Sequence, residues 1–448
     1  MSATRDREQW GSHYGFVLAT IGSAVGLGNI WRFSYVAGEN GGGAFLIVYV
    51  VCVIVVGTPI VLAELALGRR AQGDAVSAFD TIAPGSAWGG VGWLAVISGF
   101  VILSYYSVIA GWALKYLTGA LLGSLWTQAG TGFGAYFTGF ISNPGEPIGW
   151  QLAMLGSAMF IVAGGVQKGI ESVNRLLMPL LGGVIIGLAA YGATLPDAGA
   201  GWRFLLEPDF SALHDPTVYV AALGQAFFSL GIGMAVFITY GSYLPRSIPL
   251  KTSAIAIILG DSLFAIVAGL AIFPAVFSFG MDPAAGPELA FITLPQVFLA
   301  MPGGTVIGSI FFALLVCAAL TSMISLLEVP VAFLVHRFAF RRWSAVSLVG
   351  GICFALGIPS ALSFGLLSGI QIGSHGILDA IDQTVSNYLL PTGGILVALF
   401  VGWRWTRSEA LAEAELDDSR LGVTWLWLLR AVSPALIALI LLSNTGVL

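Results

Sequence analysis

The sequence predicts an all-α integral membrane protein, and three observations carry this prediction. Hydrophobic residue types make up 57% of the 448 residues and charged types only 9%, whereas soluble domains carry about 25% charged residues. The mean hydropathy is +0.91. Apolar runs of about 20 residues, the length that crosses a bilayer, recur along the whole chain. These features exclude a soluble enzyme.

The composition also narrows the partners and cofactors. The 18 Lys and Arg and 23 Asp and Glu give a formal net charge of −5, which is too mild to indicate nucleic-acid binding. The cysteines Cys52, Cys317 and Cys353 lie in apolar runs, so no disulfide framework is expected. The four histidines show no paired metal-ligand spacing. We therefore expect neither nucleic acid nor a transition metal.

Charged, Pro and Gly positions divide the apolar runs into eleven predicted membrane spans, numbered 1 to 11 in chain order. Residues 1–11 precede them as a charged cytoplasmic segment without the features of a cleavable signal peptide. The fourth and ninth spans are short. The spans cover residues 12–36, 41–68, 90–122, 150–166, 173–195, 217–243, 252–280, 303–335, 343–358, 377–403 and 423–445.

The distribution of Lys and Arg predicts the orientation, because positive charges concentrate in cytoplasmic loops. With the N-terminus inside, 14 of the 18 basic residues fall on the inner side. Only Arg32, Lys115 and Arg203 fall outside, and Arg430 lies within the last span. An odd number of spans then places the C-terminus outside.

A division after the fifth span reveals a repeat. Residues 12–195 and 217–403 are predicted to form two five-span units, followed by an inner loop and the eleventh span within 404–448. The first span of each unit carries clustered glycines at mid-membrane depth, at 22–28 and at 231–233. Because five is odd, the second unit must enter from the opposite side. The pattern predicts inverted repeats in which spans 1 and 6 are broken.

The glycines of span 1 allow two interpretations. Gly22 and Gly26 have the GxxxG spacing of closely packed membrane helices. Alternatively, Gly22, Gly26, Gly28 and Asn29 together weaken the helix, since each glycine costs about 1 kcal/mol relative to alanine. An unwound stretch would free carbonyls for a cation and N–H groups for an anion.

Three carboxylates, Glu64, Asp261 and Glu328, lie in otherwise apolar spans. Such groups usually face a pathway or a partner, although each could also brace backbone at a helix break. The adjacent hydroxyls of Thr321 and Ser322 could ligate an ion or bond back to their own helix.

Six motifs bring these residues together. They are GSAVGLGNIWRF at 22–33, ENGGGAF at 39–45, Tyr105-Tyr106, GQAFFSLGIGM at 224–234, ALTS at 319–322, and glycine and proline ten residues apart at 169 and 179. With these motifs the chain resembles the neurotransmitter:sodium symporter family, in its bacterial amino-acid branch. The resemblance runs from Arg7 to span 10.

The resemblance implies two sodium sites built from oxygen ligands, which suit a hard cation. The first would use the Ala24 carbonyl, Asn29, Ser229, Asp261 and the carboxylate of the substrate. The second would use carbonyls and hydroxyls of spans 1 and 8, namely those of Gly22, Val25, Ala318, Thr321 and Ser322.

The same resemblance implies a substrate site and two gates. The substrate would lie among Ala24, Gly28, Ile102, Tyr106, Phe228, Ser229, Gly231, Met234, Ser322 and Leu326. Arg32 and Asp382 would close the outer side, although Arg32 could simply snorkel to the headgroups. Arg7 and Trp10 would latch the cytoplasmic side, and Glu64 would brace the unwound segments.

Several positions depart from the family pattern. The usual acidic partner of the inner arginine falls on His336, so the inner latch is in question. Asp261 stands where the family often has Asn, and Ala265 where chloride-dependent members have Ser. Many members have a twelfth span, whereas this sequence predicts eleven.

These observations predict a transporter of the bacterial inner membrane. We expect it to be a sodium-coupled, chloride-independent symporter for large hydrophobic α-amino acids. A carrier for a small zwitterion such as proline or betaine is the alternative within transport. A non-transporting receptor is the alternative of another class, while an enzyme is not expected because no nucleophile–base set is recognisable. The oligomeric state stays open.

Overall fold

A computed structural model describes residues 8–130, 132–283 and 289–444. These residues are almost entirely helical. The only strands among them form a short antiparallel hairpin, β1 (Gln371–Ile372) and β2 (His375–Gly376). The all-α prediction is therefore confirmed for the described chain.

The helices follow one another with short connections. In the first half they are α1 (His13–Ala24), α2 (Gly28–Glu39), α3 (Gly43–Ala71), α4 (Ala75–Ile82), α5 (Gly89–Leu121), α6 (Phe133–Ile141), α7 (Glu146–Ala163), α8 (Val166–Gly192) and α9 (Ala198–Leu206). In the second half they are α10 (Pro216–Leu230), α11 (Val236–Ser242), α12 (Leu250–Ser278), α13 (Thr293–Ala300), α14 (Gly304–Phe338), α15 (Arg342–Leu362), α16 (Ile377–Arg404), α17 (Arg407–Glu413) and α18 (Arg420–Ser443).

Nine helices in the described residues are long and apolar enough to cross a membrane: α3, α5, α7, α8, α12, α14, α15, α16 and α18. The pair α1 and α2 passes the same test as one span bent by 53°, which makes ten. The remaining predicted span corresponds to α10 and α11, and α10 alone is shorter, with 15 residues.

Both predicted helix breaks are present. The first α-helix ends at Ala24, Val25 takes an extended conformation, and α2 restarts with the wide turn Gly28–Arg32. The second break separates α10 from α11. There Gly231 and Gly233 have positive φ angles of 68° and 82°, and Ala235 has φ of 59°. Such a conformation is unusual for a residue with a side chain, so the break is a defined structure.

The start of span 5 was predicted wrongly, whereas the bounds of span 4 differ by three to four residues from the predicted ones. Span 4 is Glu146–Ala163 rather than 150–166, and span 5 is Val166–Gly192 rather than 173–195. Gly165, with φ of 86°, separates the two helices. The residues after it continue as a π-helical stretch, Val166–Glu171, and the Glu171 carboxylate at its end accepts hydrogen bonds from Gly11 and Ser12.

Two long helices, α5 and α14, form the centre of the molecule. They are the most deeply buried of the membrane-length helices, and they pack against each other. The first helix, α1, packs against α8, α12 and α14. The break after α1 therefore lies beside the two central helices.

Glycines let α3 and α11 approach very closely. A Cβ atom at Gly68 of α3 would lie 2.0 Å from the carbonyl oxygen of Ile238, and one at Gly241 of α11 would lie 2.6 Å from that of Leu65. Both obstacles are backbone atoms, which cannot rotate away. The contact thus fixes α11, the second half of the broken span, on α3.

We predict that Gly68→Ala lowers the stability of the folded protein by about 1–3 kcal/mol, the usual cost of overpacking. The thermal melting temperature of the purified protein measures this. Gly183→Ala on α8 is the control, since its Cβ would meet nothing within 4 Å. Equal melting temperatures for both variants would show that the α3–α11 contact is loose.

Candidate functional site

All ten residues predicted to bind the substrate line one cavity of about 40 Å³ at the two helix breaks. They come from α1, α2, α5, α10, α14 and the stretch between α10 and α11. The structure adds neighbours that the sequence did not indicate, namely Ser23, Gly26, Leu230, Val236 and Ser325. The predicted set is therefore spatially coherent.

Polar groups lie on the side of the cavity next to the first break. The hydroxyl of Tyr106 accepts a hydrogen bond from the Leu27 N–H at 3.3 Å. A Cβ atom at Gly26 would lie 2.5 Å from Ser322 Oγ and 3.1 Å from the Tyr106 hydroxyl oxygen. Position 26 therefore has no room for a larger side chain in this conformation.

The rest of the lining is mainly apolar. Ile102, Met234 and Leu326 contribute aliphatic and thioether surface. The Phe228 ring lies 3.0 Å from where a Cβ at Gly28 would be, and the guanidinium of Arg32 covers the ring at 4.3 Å from its centroid. Phe228 thus packs against α2, and the Arg32 guanidinium of the same helix lies over the ring in a cation–π contact.

The side chains of the first predicted sodium site touch one another. The Asn29 amide donates to Asp261 Oδ1 at 2.7 Å and to Ser229 Oγ at 3.1 Å, and the Ser229 hydroxyl donates to Asp261 Oδ2 at 2.9 Å. Asn29 Oδ1 accepts the Gly26 N–H at 3.1 Å. All three side chains are buried, so three helices, α2, α10 and α12, meet around one carboxylate.

The second predicted sodium site lies between α1 and α14. The Thr321 hydroxyl donates to the Ala318 carbonyl at 2.9 Å, and the Ser322 hydroxyl donates to the Ser23 carbonyl at 3.4 Å. The Gly26 N–H, which would close the helical bond to Gly22, is bound to Asn29 instead. The Gly22 carbonyl is thereby free of its usual partner.

The donor set at both sites is almost entirely neutral oxygen. Only Asp261 carries a carboxylate, and the described residues contain no cluster of three or more His, Cys, Asp or Glu side chains. One charge with carbonyl and hydroxyl oxygens suits a hard monovalent cation better than a transition metal or a divalent ion.

Comparison with known proteins places this geometry in a family. A family model described as the sodium:neurotransmitter symporter family matches residues 7–136 and 136–447. The chain belongs to this family. The predicted resemblance is therefore confirmed.

Relatives of the symporter span almost its full length. It is 42% identical over 444 residues to the uncharacterized sodium-dependent transporter YhdH of Bacillus subtilis, covering 98% of each chain. It is 30% identical to the human sodium- and chloride-dependent taurine transporter, over 80% of this chain and 66% of that one. Among solved structures, MhsT in complex with L-phenylalanine matches with a TM-score of 0.92 and 50% identity, covering 98% of this chain and 100% of the other.

Glu64 of the symporter contacts the second break, as predicted. Its Oε1 atom accepts the Gly233 N–H at 2.9 Å, and the carboxyl group is completely buried. Gly233 has a left-handed conformation, so no helical carbonyl can serve this N–H group. Glu64 replaces that carbonyl.

The predicted outer pair is not formed in this conformation of the described residues. Arg32 lies over Phe228, and Asp382 Oδ1 accepts hydrogen bonds from Tyr105 at 2.8 Å and from Ser386 at 3.3 Å. The Tyr105 contact could not be read from the sequence, because the two residues are 277 positions apart. The gating role of Arg32 and Asp382 stays a prediction.

At the N-terminal side, Arg7 lies outside the described residues, whereas Trp10 is buried. The Trp10 indole donates to the Tyr240 carbonyl at 2.9 Å, and its backbone N–H donates to the Tyr243 carbonyl at 3.2 Å. Trp10 thus fastens the N-terminal segment to the end of α11. The role of a latch itself stays a prediction.

The described residues place His336 beside a different partner, Asp74, with Nδ1 at 2.8 Å from Oδ2. Asp74 also accepts the N–H groups of Val76 and Ser77, which start α4. Burial favours a raised pKa for the Asp74 carboxyl, but hydrogen bonds from His336 and Ser77 outweigh it and hold the pKa below its ordinary value. His336 therefore connects α14 to α4.

Glu328, the third intramembrane carboxylate, has partners that sequence reasoning missed. It accepts the Tyr243 hydroxyl at 2.5 Å and pairs with Arg342 at 2.5 Å. Arg342 also pairs with Glu8 at 2.8 Å and donates to the Val162 carbonyl at 2.7 Å. A carboxylate in an apolar span indicated that some partner exists, but not which one.

We predict that Glu64→Gln keeps the stability and the amino-acid binding of the symporter and that Glu64→Ala lowers both. Gln keeps an oxygen for the Gly233 N–H, whereas Ala leaves a buried donor unpaired at a cost of about 1–3 kcal/mol. Amino-acid binding in the presence of sodium and the melting temperature should both fall only for Glu64→Ala. Two equally impaired variants would mean that the negative charge of Glu64 matters rather than its hydrogen bond.

Proposed function

We propose that the protein is a sodium-coupled symporter that imports hydrophobic α-amino acids by alternating access. The observation that carries this proposal is the single cavity at both helix breaks, lined by all ten predicted substrate residues. Membership of the family and the likeness to MhsT, whose structure holds L-phenylalanine, support it.

The architecture proposed with this function has eleven spans. The pair α10 and α11 counts as one broken span, like α1 and α2. Residues 12–195 and 217–403 are two inverted five-span repeats, and 404–448 hold the inner loop and the last span. The N-terminus lies inside the bacterial inner membrane and the C-terminus outside, as the basic residues favour.

The substrate has to supply its own carboxylate. Position 26, beside the cavity, is a glycine, and even a Cβ atom there would clash with Ser322. The protein therefore offers no acidic side chain at this position to pair with the substrate. The Gly28 N–H and the Tyr106 hydroxyl would receive the carboxylate, and carbonyls near Phe228 and Ser229 the ammonium group. A free α-amino acid provides both charges.

The apolar lining excludes charged side chains and favours hydrophobic ones. A cavity of about 40 Å³ holds only a few water molecules, since one needs roughly 10–15 Å³. A large side chain therefore requires the lining to move. Met234, which is flexible and lies beside Gly231, is the side chain best suited to yield.

Two sodium ions would use the two oxygen clusters. At the first, Asn29 has to turn its amide oxygen from the Gly26 N–H toward the ion, while Asp261 and Ser229 ligate directly. At the second, Thr321 and Ser322 would join carbonyls of Gly22, Val25 and Ala318. Both clusters contact α1, so ion binding would stabilise its closed position.

The experiment that tests the function is uptake into liposomes driven by a sodium gradient. Tryptophan, leucine, proline and betaine are offered side by side. Preference for tryptophan or leucine supports the proposal, and preference for proline or betaine supports the small-zwitterion alternative. Sodium-dependent binding without any uptake would indicate a receptor.

We predict that Thr321→Ala combined with Ser322→Ala abolishes sodium-driven uptake. The double variant leaves the ion with carbonyl ligands alone in an apolar setting, where an under-coordinated charge is costly. Ser98→Ala on α5 is the matched control, because Ser98 is also a buried serine that bonds to its own helix, at the Leu94 carbonyl, and it does not line the cavity. Unchanged sodium dependence in the double variant would remove this site from the proposal.

Transport should not require chloride. Asp261 supplies a fixed negative charge beside the first sodium site, and Ala265 one turn away lacks the hydroxyl of chloride-dependent members. We predict equal uptake in chloride and in gluconate. Asp261→Asn with Ala265→Ser should make uptake chloride-dependent, because the anion then replaces the lost charge. Wild-type uptake that collapses in gluconate would contradict the fixed-charge argument.

A further inference from the structure

The carboxylate of Glu171 lies at the N-terminus of α1. Glu171 belongs to the first turns of α8, and only 2% of its surface is exposed. Oε2 accepts the Gly11 N–H at 2.7 Å, and Oε1 accepts the Ser12 hydroxyl at 2.9 Å. Ser12 caps α1 by accepting the Gly15 N–H at 2.9 Å. A helix N-terminus favours an anion, so these contacts form an internal anion site.

The site is shaped for this carboxylate. A Cβ at Gly15 would lie 2.0 Å from Glu171 Oε1, so only glycine leaves room for it. Arg175, one turn further along α8, pairs with Oε1 at 2.5 Å and donates to Ser12 Oγ at 3.0 Å. The Gly11 N–H, the Ser12 hydroxyl, the space left at Gly15 and the Arg175 guanidinium all meet at the Glu171 carboxylate.

A second contact joins the same two helices nearer the cavity. Asn174, three residues after Glu171 and on the same face of α8, is completely buried. Its amide nitrogen donates to the Ile170 carbonyl, while Oδ1 has no hydrogen-bond partner among the described residues and lies 2.2 Å from where a Cβ at Gly22 would be. α8 therefore contacts α1 both at the N-terminal end of α1 and near its C-terminal end.

We propose that Glu171 is a positioning residue that holds α1 closed on its N-terminal side, and that opening on this side requires the carboxylate to leave its site. This proposal rests on the proposed alternating access. Glu171 ends the π-helical stretch Val166–Glu171, which follows Gly165 at φ of 86°. Such stretches are rare and are frequent at functional sites, and rewinding this one would shift Glu171 relative to α1.

The consequence for transport follows from what α1 carries. Its last turn and the residues after it, Gly22 to Val25, include the carbonyls proposed as sodium ligands. When Glu171 leaves, α1 loses one of its anchors on the side opposite those ligands, and the sodium sites lose part of their preformed geometry. Glu171 would act through α1 without touching sodium or substrate.

Hydrogen exchange measured by mass spectrometry on the full chain in lipid nanodiscs with sodium tests this proposal. In Glu171→Gln and Gly15→Ala, backbone amides of 11–24 should exchange at least about tenfold faster, the effect of losing a charge-assisted hydrogen bond. Amides of α12 and α16 should not change. Gly187→Ala, on α8 with nothing within 4 Å of its Cβ, should match the wild type.

A second measurement uses amino-acid binding. The sodium concentration for half-maximal binding should rise about tenfold in both variants, by the same reasoning. If Gly15→Ala does not fold, Arg175→Ala takes its place, with a smaller effect because Arg175 is half-exposed. Unchanged exchange at 11–24, or equal acceleration throughout the chain, would overturn the proposal.

The two proposals fail in different ways. A wild type that shows no sodium-dependent binding of any amino acid removes the proposed function. The exchange rates of α1 would still report whether Glu171 holds it. Faster exchange confined to α1 together with unaltered sodium dependence would show a helix cap without a gating role, and this too would overturn the inference.

Discussion

Backbone groups freed at two breaks inside a membrane are the constraint on which this structure depends. Lipid offers no hydrogen bonds, so each freed group needs a partner from the protein. The Gly26 N–H is accepted by Asn29, the Leu27 N–H by Tyr106, and the Gly233 N–H by Glu64. Gln225 donates to the Gly28 carbonyl at 2.9 Å. Of these side chains, Tyr106 also lines the cavity, so there one contact both satisfies a break and shapes the site.

The sequence was sufficient for the helical membrane fold because apolar runs and glycine clusters are local signals. Both breaks lie where the glycines predicted them. The start of α8 was missed for a physical reason: Gln167, Lys168 and Glu171 are polar and indicate a loop. The stretch is helical, and Glu171 is buried against Gly11 and Ser12, 159 to 160 positions away. No window of sequence contains that contact.

The same distinction between local signals and long-range contacts applies to the candidate site. Its proposed residues come from motifs of the family, and one cavity brings the proposed substrate set together. The partners of charged groups were not predictable. Glu328 was recognised as a carboxylate in need of a partner, but Tyr243 and Arg342 come from other parts of the chain. By the family pattern, His336 stands at the position of the acidic partner of an N-terminal arginine, whereas in the structure it pairs with Asp74.

The charged groups on the two sides of the cavity differ in their partners and in how deeply they are buried. On the N-terminal side Glu328 pairs with Arg342, and Glu171 with Arg175; both carboxylates are almost fully buried. On the other side Arg32 lies over the Phe228 ring at 4.3 Å and hydrogen-bonds to Tyr35, and Asp382 accepts the Tyr105 hydroxyl at 2.8 Å. Removing one member of a buried pair is far costlier than separating exposed charges. In this conformation the Glu328–Arg342 pair is therefore the costliest of these contacts to break, because Arg175, the partner of Glu171, is half-exposed.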